Sequence, residues 1–151
     1  MIKLEIEPLL FLLKDGLVEL GRESWQQIPL EGLDYDPAWD IYHDAEKSGR
    51  MRFLAIRSEN DVLVGYVCMF YITPLHDKKK RNILIHDIYL KPEFRHGLRS
   101  AKKIFDKIRE IAMYVKASRI SIAERDGKIG KVYERFGYKS SEKIYELGVE
   151  A

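Results

Sequence analysis

Residues 82–115 constrain the fold more than any other stretch. Asn82 to Leu90 is mostly apolar and rich in isoleucine, the composition of a strand covered on both faces. The chain then turns through Pro92. After it, Leu98, Ala101, Ile104, Phe105, Ile108, Ala112 and Val115 recur mostly three or four residues apart, the stripe of a long amphipathic helix.

The remaining elements are read around this pair. Ile2 to Ile6 alternates apolar and polar residues, as a half-buried strand does. Pro8 opens an apolar helical stretch to about Glu23, which Gly16 and Gly21 weaken or split. Asp36-Pro37 reads as an N-cap followed by a first-turn proline, and Ser48-Gly49 as that helix's end. Arg52 to Arg57 and Val62 to Ile72 form a hairpin around the turn Ser58 to Asp61. Thr73 to Arg81, with Lys78-Lys79-Lys80-Arg81, is an exposed loop. Arg119 to Ala123 is a short strand. Asp126 caps a helix bearing Ile129, Val132, Tyr133 and Phe136, and Gly137 ends it. Lys143 to Val149 makes a last strand. The order is β-α-α-β-β-β-α-β-α-β, with no repeat or flexible linker, and a single domain over residues 1–151 is expected.

Composition excludes several classes. The apolar runs Leu9 to Leu13 and Val67 to Ile72 are too short to cross a bilayer. The start, Met1-Ile2-Lys3-Leu4-Glu5, does not read as a signal peptide. The single cysteine, Cys68, sits in an apolar run and reads as a buried, inert thiol, so a cytoplasmic setting is expected. Zinc-ligand spacing, a phosphate loop ending in Gly-Lys-Ser/Thr and a Gly-x-Ser-x-Gly elbow are all absent. No metal is expected. The basic run 78–81 lacks interleaved aromatics, which argues against a nucleic-acid partner. Charge is unevenly spread: residues 1–50 carry 5 Lys/Arg against 11 Asp/Glu, whereas the net charge of the whole chain is +2. One half can therefore attract a cationic group and the other an anionic one, unless the acids and bases simply face water.

The segment Asp87 to Lys107 carries the chemistry. A helix start leaves N–H groups unpaired and favours negative charge. Small residues (here Gly97, Ser100 and Ala101) let a phosphate come close. Residues 91–107 hold six basic side chains against two acidic ones. Read from the residues alone, this is either an anion site or a plain strand–turn–helix connection.

The segment resembles the signature of the GNAT acyltransferase superfamily, Arg/Gln-x-x-Gly-x-Gly/Ala. Arg95 matches the first position, while Leu98 and Ser100 stand where glycines are expected. Pro92-Glu93-Phe94-Arg95 and Gly97 are closer to the loop of the phage-type subgroup. Val62-Leu63-Val64-Gly65-Tyr66 is similar to the family's hairpin strand. Val132 to Tyr138 is similar to its closing aromatic-Tyr-x-x-x-Gly-aromatic motif. The resemblance implies a mixed α/β (α+β), mostly antiparallel central sheet of about six or seven strands flanked by about four helices.

The resemblance also implies an acetyl-CoA-dependent N-acetyltransferase acting on a primary amine in a ternary complex, on a small molecule or a protein. Ile88, Tyr89 and Leu90 would line the pantetheine arm. Arg95, His96, Gly97, Leu98, Arg99, Ser100 and Ala101 would hold the pyrophosphate. Tyr133 is the implied general acid: a phenol with a pKa of about 10 carries its proton at neutral pH. It also lies on an apolar stripe, so core packing stays open. Asp87 is a candidate base, since a charge in a buried strand wants a partner. His86 is expected on the opposite face of the strand. Glu124 is a third candidate at the acceptor site. Trp25, Tyr35 and Trp39, with Asp34, Asp36, Asp40 and Asp44, either form a pocket for a cationic amine or pack helices onto the sheet. Two other readings stand beside the enzyme: a CoA-binding, non-catalytic module acting through a partner, and a phage factor modifying a host protein or nucleic acid. A homodimer paired through its last strand or the 62–72 strand is a further expectation.

Overall fold

In the computed structural model, residues 1–27, 33–124, 129–142 and 144–149 are described. The order is β1 (Ile2–Glu7), α1 (Leu9–Lys14), α2 (Leu17–Gln27), α3 (Trp39–Lys47), β2 (Met51–Ser58), β3 (Leu63–Ile72), β4 (Asn82–Leu90), α4 (Leu98–Tyr114), β5 (Arg119–Ile122) and α5 (Gly130–Arg135). One sheet runs β1-β2-β3-β4-β5. Its pairs are antiparallel except β4–β5, which is parallel.

Two cores sandwich this sheet. Leu54, Ile56, Val67, Met69, Ile83 and Ile85 pack with Ile104, Phe105 and Ile108 of α4. Phe53, Ala55, Tyr66 and Cys68 pack on the other face with Leu9, Leu12, Leu17 and Leu20 of α1 and α2. Neighbouring strand residues thus alternate between layers, as a pleat covered on both faces requires. Burial, and then the nearby Asp87, pushes the Cys68 thiol well above its ordinary range, so it is unreactive.

Several sequence expectations need correction. The helical stretch from Pro8 is split at Gly16, one of the two glycines expected to weaken or split it, where the chain turns with φ +110°; Gly21 stays within α2, which runs on to Gln27 rather than ending near Glu23. Asp36 does not cap α3, which starts two residues later than expected, after Ala38. Its other end falls as expected, with Gly49 at φ +77°. There are five strands and five α-helices among the described residues, not six or seven strands and four helices. The missing strand is the C-terminal one: residues 144–149 form no ladder, and Ile144, Tyr145, Leu147 and Val149 are at least 76% exposed. Alternation gives such a segment strand propensity, but only a partner edge makes it a strand. Asp126 lies outside the described residues.

Gly65 has a specific job. A Cβ there would collide with the Tyr89 carbonyl oxygen and lie 3.0 Å from Leu90 Cα. Its absence lets β3 approach the end of β4 where the site opens.

Candidate active site

The β4–β5 ladder runs from Asn82↔Arg119 to Ile85↔Ile122 and stops. Residues 86–90 of β4 therefore continue with one edge free of any strand partner among the described residues. The opening is a cavity of about 520 Å³. Ile88 and Leu90 form its floor, the first turns of α4 one wall, and Val132 and Tyr133 of α5 another; Ser24 and Gln27 of α2 close its rim.

The backbone of this edge is oriented by its neighbour. Lys91 donates its N–H to the Val64 carbonyl at 2.9 Å. Backbone groups alternate sides along a strand, so Leu90 and Ile88 turn theirs away from β3, into the cavity. The Leu90 carbonyl there accepts from Arg95 Nε at 2.6 Å. The same guanidinium lies 5.4 Å from the Tyr89 ring centroid and donates to Gln27 Oε1 at 3.3 Å. Arg95 thus folds the loop back onto its strand.

A short 3₁₀ turn, Pro92–Phe94, leads to Gly97 at φ +57°, ψ −137°, a conformation that favours glycine. Ser100, only 7% exposed, donates to the Phe94 carbonyl at 2.9 Å and accepts from the His96 N–H at 3.2 Å. Arg99 donates its N–H to the His96 carbonyl. The His96 and Arg99 N–H groups are therefore engaged within the loop, and Gly97, Leu98 and Ser100 stand at the start of α4. Leu98, 43% exposed, lines the cavity with Ala101. Among the nearby cations, Lys102 pairs with Asp106 and Lys107 with Glu110, while Lys103 reaches the Ile2 carbonyl. Arg99 is exposed and forms no ion pair among the described residues.

Asp87 and Tyr133 both line the cavity. Tyr133 is 8% exposed and meets Phe105 edge-on at 5.8 Å. Asp87 accepts from Tyr66 Oη at 2.5 Å and from Ser24 Oγ at 3.4 Å. Burial, then the Asp87 charge, pushes the Tyr66 hydroxyl far above the ordinary range, so it stays a neutral donor.

His86 is not on the face opposite Asp87. The register pairs Met69 with Ile85 but Cys68 with Asp87, so His86 is a bulge. Its ring lies 5.6 Å from Phe70 and 6.3 Å from Tyr42, in the same layer as Tyr66.

The expected acceptor residues are placed differently. Tyr35 donates to the Val18 carbonyl at 2.9 Å and sits in the notch left by Gly21, beneath Arg22. Trp25 packs on Tyr35 at 6.5 Å, and Trp39 on Tyr42 at 5.3 Å. None of these three lines the cavity. Asp34, Asp36, Asp40 and Asp44 are exposed. Glu124 is exposed too, and accepts from the Gly130 N–H at 3.2 Å at the start of α5. Ser24, Gln27 and Tyr66 are the site residues that sequence reasoning missed. The signal for the first two was the stripe Leu17, Leu20, Ser24, Gln27, whose apolar face turns polar where it reaches β4. Among the described residues no three His, Cys, Asp or Glu side chains gather to hold a metal, and no helix is long and apolar enough to cross a membrane.

Residues 16–138 match the model of the acetyltransferase (GNAT) family. No curated protein matches the chain. Among solved structures, a predicted acetyltransferase with acetyl-CoA from Clostridium acetobutylicum is similar at 18% identity and TM-score 0.71, over 98% of this chain and 96% of that one. An aminoglycoside acetyltransferase from an uncultured soil metagenomic sample is similar at 15% identity and TM-score 0.75, over 99% of both. A ribosomal-protein-alanine N-acetyltransferase from Brucella melitensis biovar Abortus is similar at 16% identity and TM-score 0.71, over 98% and 99%. At these identities the likeness is one of fold.

Proposed function

We propose that this chain, which belongs to the acetyltransferase (GNAT) family, transfers an acetyl group to a primary amine by direct attack in a ternary complex. The family is one of enzymes, and its donor is acetyl-CoA. The observation that carries the reading is the edge of β4 that has no strand partner among the described residues, running from the bulge at His86 toward the N-terminus of α4.

The donor fits that edge. Acetyl-CoA supplies an activated thioester and an extended arm bearing amides. Ile88 and Leu90 present backbone groups to such an arm as a neighbouring strand would, and one of their N–H groups polarises the acyl carbonyl. Tyr89 faces the other side, where its ring carries Arg95. Gly97, Leu98 and Ser100 offer first-turn N–H groups to the pyrophosphate, with Ala101 small enough to admit it. Arg99 adds charge at the rim, and Arg95 and His96 shape the loop. Tyr133 gives its hydroxyl proton to the leaving sulfur, and Asp87 takes the proton that the attacking amine sheds, directly or through water. The whole of residues 1–151 serves as one acyltransferase domain. Trp25, Tyr35, Trp39 and Glu124 act, in this reading, by setting the helices around the acceptor mouth. The phage-type loop Pro92-Glu93-Phe94-Arg95 supports a place in that subgroup.

One observation favours a weaker reading, a CoA-binding module without turnover: Ser100 occupies the His96 N–H that a glycine there would leave to a phosphate. Calorimetry with acetyl-CoA and CoA, followed by acetyl transfer to an amine panel, separates the two. Binding with no transfer to any amine supports the module. Failure of both ligands to bind at millimolar concentration sinks both readings.

A further inference from the structure

Tyr66 and Asp87 come together through strand register. Tyr66 lies opposite Tyr89, and Cys68 opposite Asp87. Tyr66 and Asp87 are therefore diagonal neighbours, about 7–8 Å apart at the backbone, within reach of a long aromatic side chain. They share a face only because His86 is bulged. Strict alternation from Ile85, which points into the α4 layer, would send Asp87 to that layer as well.

The Tyr66 ring has little freedom. It is 3% exposed, packs edge-on against Phe53 at 6.1 Å, and lies 6.4 Å from Tyr89. Its hydroxyl is thus fixed by the core, and burial keeps its proton in place. Ser24 approaches the other carboxylate oxygen from α2. The charged neighbours turn elsewhere: Glu23 accepts from Tyr89 and lies 4.0 Å from Lys91, and Arg95 is taken up by Leu90 and Gln27. The other titratable groups at hand are Cys68 beneath, Tyr35 across α2, and His86 beside it. Asp87 forms no ion pair with a Lys or Arg among the described residues. Its two oxygens are each met by a hydroxyl, Tyr66 Oη on one and Ser24 Oγ on the other.

We propose that Tyr66 and Ser24 are positioning residues that hold the Asp87 carboxyl group fixed in direction at the acceptor mouth of the cavity. The inference rests on the reading that Asp87 meets the amine. Tyr66 contributes more, since its contact is shorter and its ring is locked.

The test follows the Asp87 carboxyl directly by carbon-13 NMR of the apo protein labelled at aspartate carboxyls, with Asp87→Asn to assign the resonance. Spectra are compared at one neutral pH. A donated hydrogen bond polarises the carboxyl group it reaches. Tyr66→Phe keeps the ring and should displace the Asp87 resonance while the other aspartate resonances hold. Ser24→Ala should displace it by a smaller amount. An unmoved Asp87 resonance in folded Tyr66→Phe overturns the proposal. Should that variant fail to fold, Ser24→Ala decides alone, and an unmoved resonance there overturns it. No acceptor is needed, so a protein that acetylates nothing still passes or fails this test.

Discussion

Replacing Ser100 by alanine isolates the brace that shapes the donor loop. The hydroxyl makes two hydrogen bonds, to the Phe94 carbonyl at 2.9 Å and from the His96 N–H at 3.2 Å, and is shielded from water. Each such bond contributes about 0.5–1.5 kcal/mol net. Alanine returns up to about 0.5 kcal/mol as the better helix former. The expected loss is therefore about 1–2 kcal/mol. At about 2–4 °C per kcal/mol for a domain of this size, Tm falls by roughly 2–8 °C. Scanning calorimetry reads the shift. Hydrogen exchange reads the location: the His96 amide should lose protection, while amides of β2 and β3 change only as the global stability does. A Tm within 1 °C of wild type with His96 protection unchanged would refute the brace. The brace also alters what the altered glycine loop means. Glycine at position 100 would remove the serine's side chain together with the two contacts that order the turn, so the loop should loosen.

Other outcomes follow from the same geometry. Gly65→Ala places a methyl against the Tyr89 carbonyl and Leu90 Cα; neither backbone atom can yield cheaply, so stability should drop by about 1–3 kcal/mol in denaturant titrations and acetyl-CoA binding should weaken with it. Tyr133→Phe should cut turnover by about 10²-fold or more while leaving the acetyl-CoA affinity near wild type, and an unchanged turnover number removes Tyr133 from the mechanism. The folded state also resists loss of tyrosine protons: burial, the largest cause at each, raises the pKa at Tyr35, Tyr66, Tyr71, Tyr89 and Tyr138 above 10.0. Above that value the unfolded chain binds fewer protons than the native one, so stability present below about pH 10 is lost as pH rises, by up to about 1.4 kcal/mol per unit for each tyrosine still protonated. Urea titrations between pH 9 and 11 in wild type and Tyr66→Phe check this; the variant should show the shallower slope.

Local pattern alone determined much of this protein. The isoleucine-rich run of β4 and the three- and four-residue spacing of α4 gave the central strand and its helix. Glycine marked the turns that need positive φ, at Gly49, Gly97 and Gly137. The order of motifs, from Val62-Leu63-Val64-Gly65 through Arg95 to Tyr133, gave the family. These features are readable because helix and strand periods and backbone permissiveness belong to a few neighbouring residues.

Tertiary structure decided what depends on two distant segments. No pattern in β4 says that His86 bulges, because a bulge is a relation of register with β3, yet that slip sets which layer Asp87 faces. Ser24 meets Asp87 across 63 positions in the chain, and Gln27 meets Arg95 across 68. The aromatics at 25, 35 and 39 have the composition of an amine pocket, but the notch at Gly21 and the rings of Tyr42 and Phe53 draw them into packing. The alternation at residues 144–149 marks strand propensity, but a ladder needs a facing edge to accept its hydrogen bonds, and only the assembled sheet determines whether one is there.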